Sequence, residues 1–258
     1  GMSDTMKAMA EMLFAKGWRD RLFVVLHGAT AQWFSEAEFN YAAQCLDLAR
    51  KGNIAKLHVM KSGFDFPNAR LYRPMLFNLS PRLSEFDALP VSDADADKVL
   101  IPGWSGWRKN IQANALGAAL SERVTEVWAF GADLKLPAPA HQKVRTVPFR
   151  SREQTFHLMG SASLTMNVSL VDCHPMVQVE AQTLGAMCLR GPLFLDALED
   201  HPYVQATSVS DVNSIVDIRA AVERALAMPR LERAELAQNY QCASDAISEQ
   251  RYREFLEI

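Results

Sequence analysis

Val168-Ser169-Leu170-Val171-Asp172-Cys173-His174-Pro175-Met176-Val177-Gln178-Val179-Glu180, continuing through Gly185 to Cys188-Leu189-Arg190-Gly191-Pro192, is the stretch whose reading decides the fold. It reads as a buried strand ending in a carboxylate, a turn, a short helix, and a second strand closed by Gly-Pro. Pro175 suits the first helical turn, where its missing N–H costs nothing. Asp172 stands just ahead of that turn, and Glu180 lies about one and a half turns into the helix. Both carboxylates can then reach the space above the strand's carboxyl end, where open α/β sheets bind ligands. The helix start offers N–H groups to an anion in the same place. Carboxylates for hydroxyls beside a helix end for phosphate suit a sugar nucleotide. The competing reading makes Asp172 a helix cap and leaves Glu180 facing water.

Working outward, strands and helices alternate on both sides. Lys98–Ile101 is a short strand ending at Pro102-Gly103, followed by a helix from Asn110 to Ser121 and a strand from Val124 to Phe130. Val144–Pro148 reads as a third strand, Ser151 caps a helix through Gly160 with Glu153 in its first turn, and Thr165–Val171 and Met187–Leu189 supply two more strands. The tail reads as helix over Val216–Ala227 and again from Leu231 to about Leu256, with an interruption near Ser244. Ahead of this half, Thr5–Lys16 has helical spacing. Leu22–Leu26 is a continuous apolar strand ending at His27-Gly28. Ser35 and Glu38 form a capping box for a helix to Arg50, and Ile54–Met60 is another strand. The segment 62–97 is irregular and Pro-rich, ending in the acidic Ser92–Asp97. The pattern predicts an α/β protein: a Rossmann-like parallel sheet flanked by helices over 98–258, a linker at 92–97, and a truncated α/β portion over 1–91.

Composition narrows the class. Among 258 residues, 49% are hydrophobic, enough for a sizeable core, and the net charge of −3 provides no basic field for nucleic acid. No apolar run has the length of a membrane span. The first residues lack the basic and apolar regions of a secretion signal, and Cys45, Cys173, Cys188 and Cys242 are scattered without metal-ligand spacing. A protein of the reducing cytoplasm, with no metal or cofactor of its own, is the expectation.

Asp172, His174-Pro175-Met176, Glu180-Ala181 and Gly185 follow in the order of a motif of the retaining GT-B glycosyltransferases, the group with a Glu-x7-Glu motif, and the chain resembles that family. Here the first acid is Asp, one methylene shorter. The resemblance implies that Glu180 binds the ribose hydroxyls and Asp172 the donor sugar. It implies that the backbone of His174, Pro175, Met176 and Val177 lines the diphosphate pocket. Gly103, Arg108 and Lys109, in Gly103-Trp104-Ser105-Gly106-Trp107-Arg108-Lys109-Asn110, stand where the family neutralises the diphosphate with basic residues; two glycines there favour close backbone approach. Phe149 and Arg150 stand where the base is cradled, although Phe149 also reads as core. His27 matches a strand-end histidine that contacts the sugar from the acceptor side, with Trp33 near it, and also reads as a locally bonded turn residue. The donor would carry uridine or guanosine diphosphate, and the acceptor is left open. The short first half either packs on the C-terminal helices or is completed by another chain, in a homodimer or with a partner chain. A non-catalytic nucleotide-sugar-binding module is the alternative function, and an epimerase-like doubly wound protein a third.

Overall fold

The computed structural model describes residues 4–18, 21–28, 30–59, 70–81, 98–103, 106–131 and 134–258, and divides them into two compact units. The first comprises residues 1–77, 194–196 and 246–258; the second comprises 78–193 and 197–245. The expected linker at 92–97 lies outside the described residues. The sequence reading kept all of 98–258 together, whereas the last thirteen residues group with the first unit.

In the first unit, α1 (Asp4–Ala15) precedes β1 (Phe23–Leu26), α2 (Glu36–Arg50), β2 (Lys56–Val59) and β3 (Leu71–Tyr72). The strands pair in parallel in the order β1-β2-β3. Leu26, Ala42, Cys45, Leu48, Ile54 and Leu57 form the core between α2 and the sheet. The expected capping box at Ser35 is not made: Ser35 takes the N-cap position without a side-chain bond. The Glu38 carboxylate instead lies beside Gly28, 3.3 Å from where a Cβ would stand. β3 falls where only irregular chain was expected. Two residues are too few to show an alternating pattern.

The second unit carries five parallel strands in the order β6-β5-β4-β7-β8: β4 (Lys98–Ile101), β5 (Glu126–Phe130), β6 (Val144–Val147), β7 (Leu164–Asn167) and β8 (Cys188–Arg190). The chain builds outward from β4 to β6, returns to lay β7 on the other side of β4, and continues to β8. The order therefore reverses between β4 and β7, the place where open parallel sheets hold ligands. All four residues of β7 and all three of β8 are buried, as strands covered on both faces require. The helices are α3 (Ile111–Ala119), α4 (Ala138–His141), α5 (Arg152–Ser161), α6 (Met176–Thr183), α7 (Pro202–Thr207), α8 (Ile215–Ala227) and α9 (Arg230–Leu256). As expected, Ser151 caps α5 with Glu153 in its first turn, and Gln154 completes a capping box.

Two sequence expectations are corrected here. The break near Ser244 does not occur: α9 runs unbroken, with Ser244 on its buried side. The strand expected to reach Val171 leaves the sheet after Asn167, so the quoted stretch opens as loop rather than strand. The reason is local. Val168 gives its N–H to the Asn114 side-chain oxygen at 3.1 Å, and its carbonyl accepts from the Asn114 amide at 3.0 Å. Both backbone groups that would extend the ladder are taken by a side chain of α3.

Candidate functional site

The loop from Val168 to Pro175 stands at the switch between β4 and β7, and neighbouring segments hold it from three directions. Asn114, fully buried, clamps Val168 and also donates to the Asn110 carbonyl at 2.7 Å. The Leu170 N–H donates to the Arg108 carbonyl at 2.8 Å, tying this loop to the one that follows β4. Gly191, past the end of β8, packs against it so closely that a Cβ there would lie 2.6 Å from the Ser169 carbonyl oxygen. Glycine is needed at 191 for that approach.

The Asp172 carboxylate sits inside this frame. Its Oδ2 accepts from Lys109 Nζ at 2.6 Å, Asn167 Nδ2 at 3.2 Å and Ser169 Oγ at 3.2 Å, and its Oδ1 accepts the Cys173 N–H at 3.1 Å. Burial alone would raise its pKa; the Lys109 charge and these hydrogen bonds outweigh it and hold the carboxyl below its ordinary value. Lys109 also reaches Asn167 Oδ1 at 3.3 Å. Arg108 and Lys109 lie in a short 3-10 turn, Trp107–Lys109, ahead of α3, and Asn110 follows with a left-handed backbone (φ 52°). Gly103 is buried beneath the turn, but a Cβ there would make only ordinary contacts of 3.5 Å or more, so the close-approach argument does not apply to it.

His174 is a structural anchor in this loop. Its buried ring accepts the Asn78 N–H at Nδ1, 2.8 Å away, while its carbonyl accepts from the Asn78 side chain at 2.5 Å. Burial, helped by the Arg190 charge and opposed by Asp172, drives its pKa down to about 3. The ring is neutral at physiological pH, with Nδ1 as acceptor. Pro175 then takes the N-cap position of α6, one place earlier than expected, and its carbonyl accepts from Gln178 and Val179. The N–H groups of Met176 and Val177 are left without an acceptor among the described residues, as the first amides of a helix are. The Met176 side chain is exposed, and Val177 packs against the apolar cluster under α5. Gly185, with φ 69°, ends the helix by a bond from the Ala186 N–H to the Ala181 carbonyl.

Glu180 faces a different partner from Asp172. Its half-buried carboxylate lies 3.5 Å from Nε of Arg152, the first residue of α5. Burial raises its pKa and Arg152 opposes the rise. The segment just before Arg152 holds Phe149 and Arg150. Phe149 is not core: it is 60% exposed, its ring set edge-on to Phe130 at 6.3 Å and lying across Gly131. Arg150 borders a groove of about 440 Å³ with Trp128, Val147, Gln154, His157 and Leu158. The structure thus gathers Gly103, Arg108, Lys109, Asp172 and the start of α6 at the switch point, and sets Glu180 beside the turn that carries Phe149 and Arg150.

His27 belongs to the first unit, in the turn after β1, its surface exposed. Surrounding protein holds its pKa below the ordinary value. Trp33 is half-buried on the first unit's core, edge-on to Phe39 at 6.2 Å. The four thiols are free, three of them buried, and among the described residues no group of three His, Cys, Asp or Glu side chains could hold a metal ion. Among the described residues, no helix is long and apolar enough to cross a membrane.

Sequence reasoning missed Asn114, Asn167, Ser169, Arg152 and Arg190. Arg190 ends β8 fully buried, with Tyr240 Oη at 3.3 Å and Glu199 at 3.5 Å. An arginine in an apolar strand is a signal available in the sequence, since such a charge is rarely buried without partners. Asn114 in the middle of an alanine-rich helix is another.

No protein-family model matches the chain, and no curated protein matches it in sequence. Solved structures match it in fold. An α,α-trehalose-phosphate synthase (UDP-forming) from Burkholderia xenovorans, in complex with glucose-6-phosphate, superposes with a TM-score of 0.67 at 12% identity, over 98% of this chain and 71% of that one. The trehalose-6-phosphate synthase OtsA gives 0.66 at 12% identity, over 98% and 70%. The Burkholderia vietnamiensis synthase gives 0.63 at 10% identity, over 96% and 71%. The fold of this chain is that of the GT-B glycosyltransferases, over about seven tenths of the solved chains it matches.

Proposed function

We propose that this protein is a glycosyltransferase that binds a nucleoside diphosphate sugar in its second unit and transfers the sugar with retention, without requiring a metal ion. The observation that carries the reading is the grouping at the β4–β7 switch point. There a partly buried lysine, Lys109, with Arg108 beside it, shares a loop system with the start of α6, whose Met176 and Val177 amides are open to an anion. These groups would receive the diphosphate and stabilise its charge as the sugar–oxygen bond breaks. Glu180 would take the ribose hydroxyls, and Phe149 and Arg150, on the turn that leads to its partner Arg152, the base. The structural neighbours favour a sugar-nucleotide donor: those solved from Burkholderia are described as UDP-forming, and an E. coli one is described as bound with UDP-2-fluoro glucose.

The test is calorimetric titration with uridine and guanosine diphosphate, alongside Glu180→Gln. One of the two nucleotides should bind, and at a hundred times its dissociation constant should stabilise the fold by about 2.7 kcal/mol. Glu180→Gln should weaken that nucleotide by about tenfold, the loss of one charge-assisted hydrogen bond. Unchanged affinity in the variant would remove Glu180 from the site.

A further inference from the structure

Glu180 differs from a solvated helix carboxylate in what stands against it. Its side chain is 15% exposed and lies 3.5 Å from Nε of Arg152, whose own side chain is 52% exposed. The Arg152 guanidinium is seated over the ring of Phe156, one turn further along α5, its carbon 5.3 Å from the ring centroid. Phe156 is fully buried in the core. A half-exposed arginine would ordinarily swing through solvent; a core ring and a carboxylate fix where this charge stands. The arginine does not serve its own helix, because a cation in the first turn of α5 opposes that helix's dipole. Of the other elements around α6, α5 carries Glu153 and His157, both exposed, and β7 carries no ionisable side chain. Cys188 and Arg190 of β8 are buried, and Tyr240 of α9 lies beside Gln178, on the opposite side of α6 from Glu180. Arg152 is the charge that acts on Glu180.

We propose that Arg152 is a positioning residue of the ribose site, whose fixed charge holds the Glu180 carboxylate as the acceptor of two ribose hydroxyls. This rests on the proposed reading of Glu180 as the ribose ligand. Two adjacent hydroxyls can both donate to one carboxylate while it is ionised; a protonated carboxyl gives up an acceptor position to its own O–H. Partial burial drives Glu180 toward that neutral form, and the neighbouring guanidinium opposes it. Its Nε stands against Oε1, and the carboxylate has further lone pairs for hydroxyls. Arg152 also follows Phe149, Arg150 and the Ser151 cap directly in the chain, so one turn supplies the proposed base contact and steadies the ribose acid.

The experiment compares wild type, Arg152→Met, Arg152→Lys, Glu180→Gln and the Arg152→Met/Glu180→Gln double variant by calorimetry at pH 8 and pH 5.5. The probes are uridine diphosphate, guanosine diphosphate and the 2′,3′-dideoxy form of each. The quantity read is the preference for ribose over dideoxyribose, in which titration of the terminal phosphate cancels. Wild type should prefer the ribose form of its nucleotide by about tenfold at pH 8 and keep most of that preference at pH 5.5. Arg152→Met should stay near wild type at pH 8 and lose about threefold of the preference at pH 5.5, as Glu180 takes up a proton. Arg152→Lys keeps the charge and should follow wild type. With Gln at 180, adding Arg152→Met should change nothing. An Arg152→Met preference that is no more pH-dependent than that of wild type overturns the proposal alone. So does a lysine variant as pH-sensitive as Arg152→Met, or an Arg152→Met effect that persists with Gln at 180, which would make Arg152 only a structural contact. If Arg152→Met does not fold, Arg152→Gln, also neutral, carries the same predictions. Wild type that binds a nucleotide without preferring ribose refutes the Glu180 assignment and this proposal with it, and wild type that binds neither nucleotide refutes the proposed function as a whole.

Discussion

Asn114→Ala is the perturbation that probes most deeply how the fold makes the site. The Asn114 side chain is fully buried and makes three hydrogen bonds, two of them to the backbone of Val168, itself fully buried. Alanine leaves the Val168 N–H and C=O without partners in the protein interior. Each such orphan costs about 1–3 kcal/mol, so the variant should lose about 3 kcal/mol. For a unit of this size that is a fall of roughly 6–12 °C in melting temperature, read by scanning calorimetry. The damage should also travel. Val168 begins the loop whose Ser169 hydroxyl donates to Asp172, the carboxylate that holds Lys109, so pyrophosphate should bind more weakly to the variant even where it is fully folded. A melting shift under about 2 °C would refute the claim that the Asn114 amide ends β7 and holds the loop in place.

Gly191→Ala drives a Cβ to within 2.6 Å of the Ser169 carbonyl, a backbone atom that cannot swing aside. A loss of about 1–3 kcal/mol in urea unfolding is expected, and an unaffected variant would contradict the close approach. Acid should destabilise both units. His58, held at about 4 by burial despite its bond to the Tyr72 carbonyl, and His174, held at about 3, stay neutral in the fold while their unfolded forms take a proton below about pH 6.5. The unfolded chain therefore binds more protons, so stability is full above that pH and is lost as pH falls toward these values. Each histidine should cost about 1–2 kcal/mol between pH 7 and pH 5. Urea midpoints that do not move across that range would refute the buried neutral state.

How much of this was legible follows from where each signal lives. The apolar runs of β1, β4, β5 and β7, the prolines and the glycine after α6 are local, and they located the parallel strands and the motif helix to within a few residues. The end of β7 was not local. Leu170 and Val171 have the composition of a strand, and only a side chain more than fifty residues earlier, Asn114, takes the backbone groups that would have continued it. The capping box at Ser35 failed for a similar reason, since Glu38 lies against Gly28 of a preceding turn. Within the site, Asp172 and Lys109 were each recognised, but their pairing was not, because nothing in their spacing predicts that loops after β4 and β7 meet. Phe149 read as core sooner than as a base platform, and its exposure follows from standing beyond the last residue of an edge strand.

Hydrogen exchange of the backbone with and without uridine or guanosine diphosphate tests the central claim most directly, because it reports both binding and place. The account predicts slowed exchange at the amides of Met176 and Val177, in the Trp107–Asn110 turn and at Phe149–Arg150, with the α5 side of the groove, at Gln154, His157 and Leu158, unchanged. Protection confined to that side of the groove, or absent at saturating concentrations of both nucleotides, would contradict it.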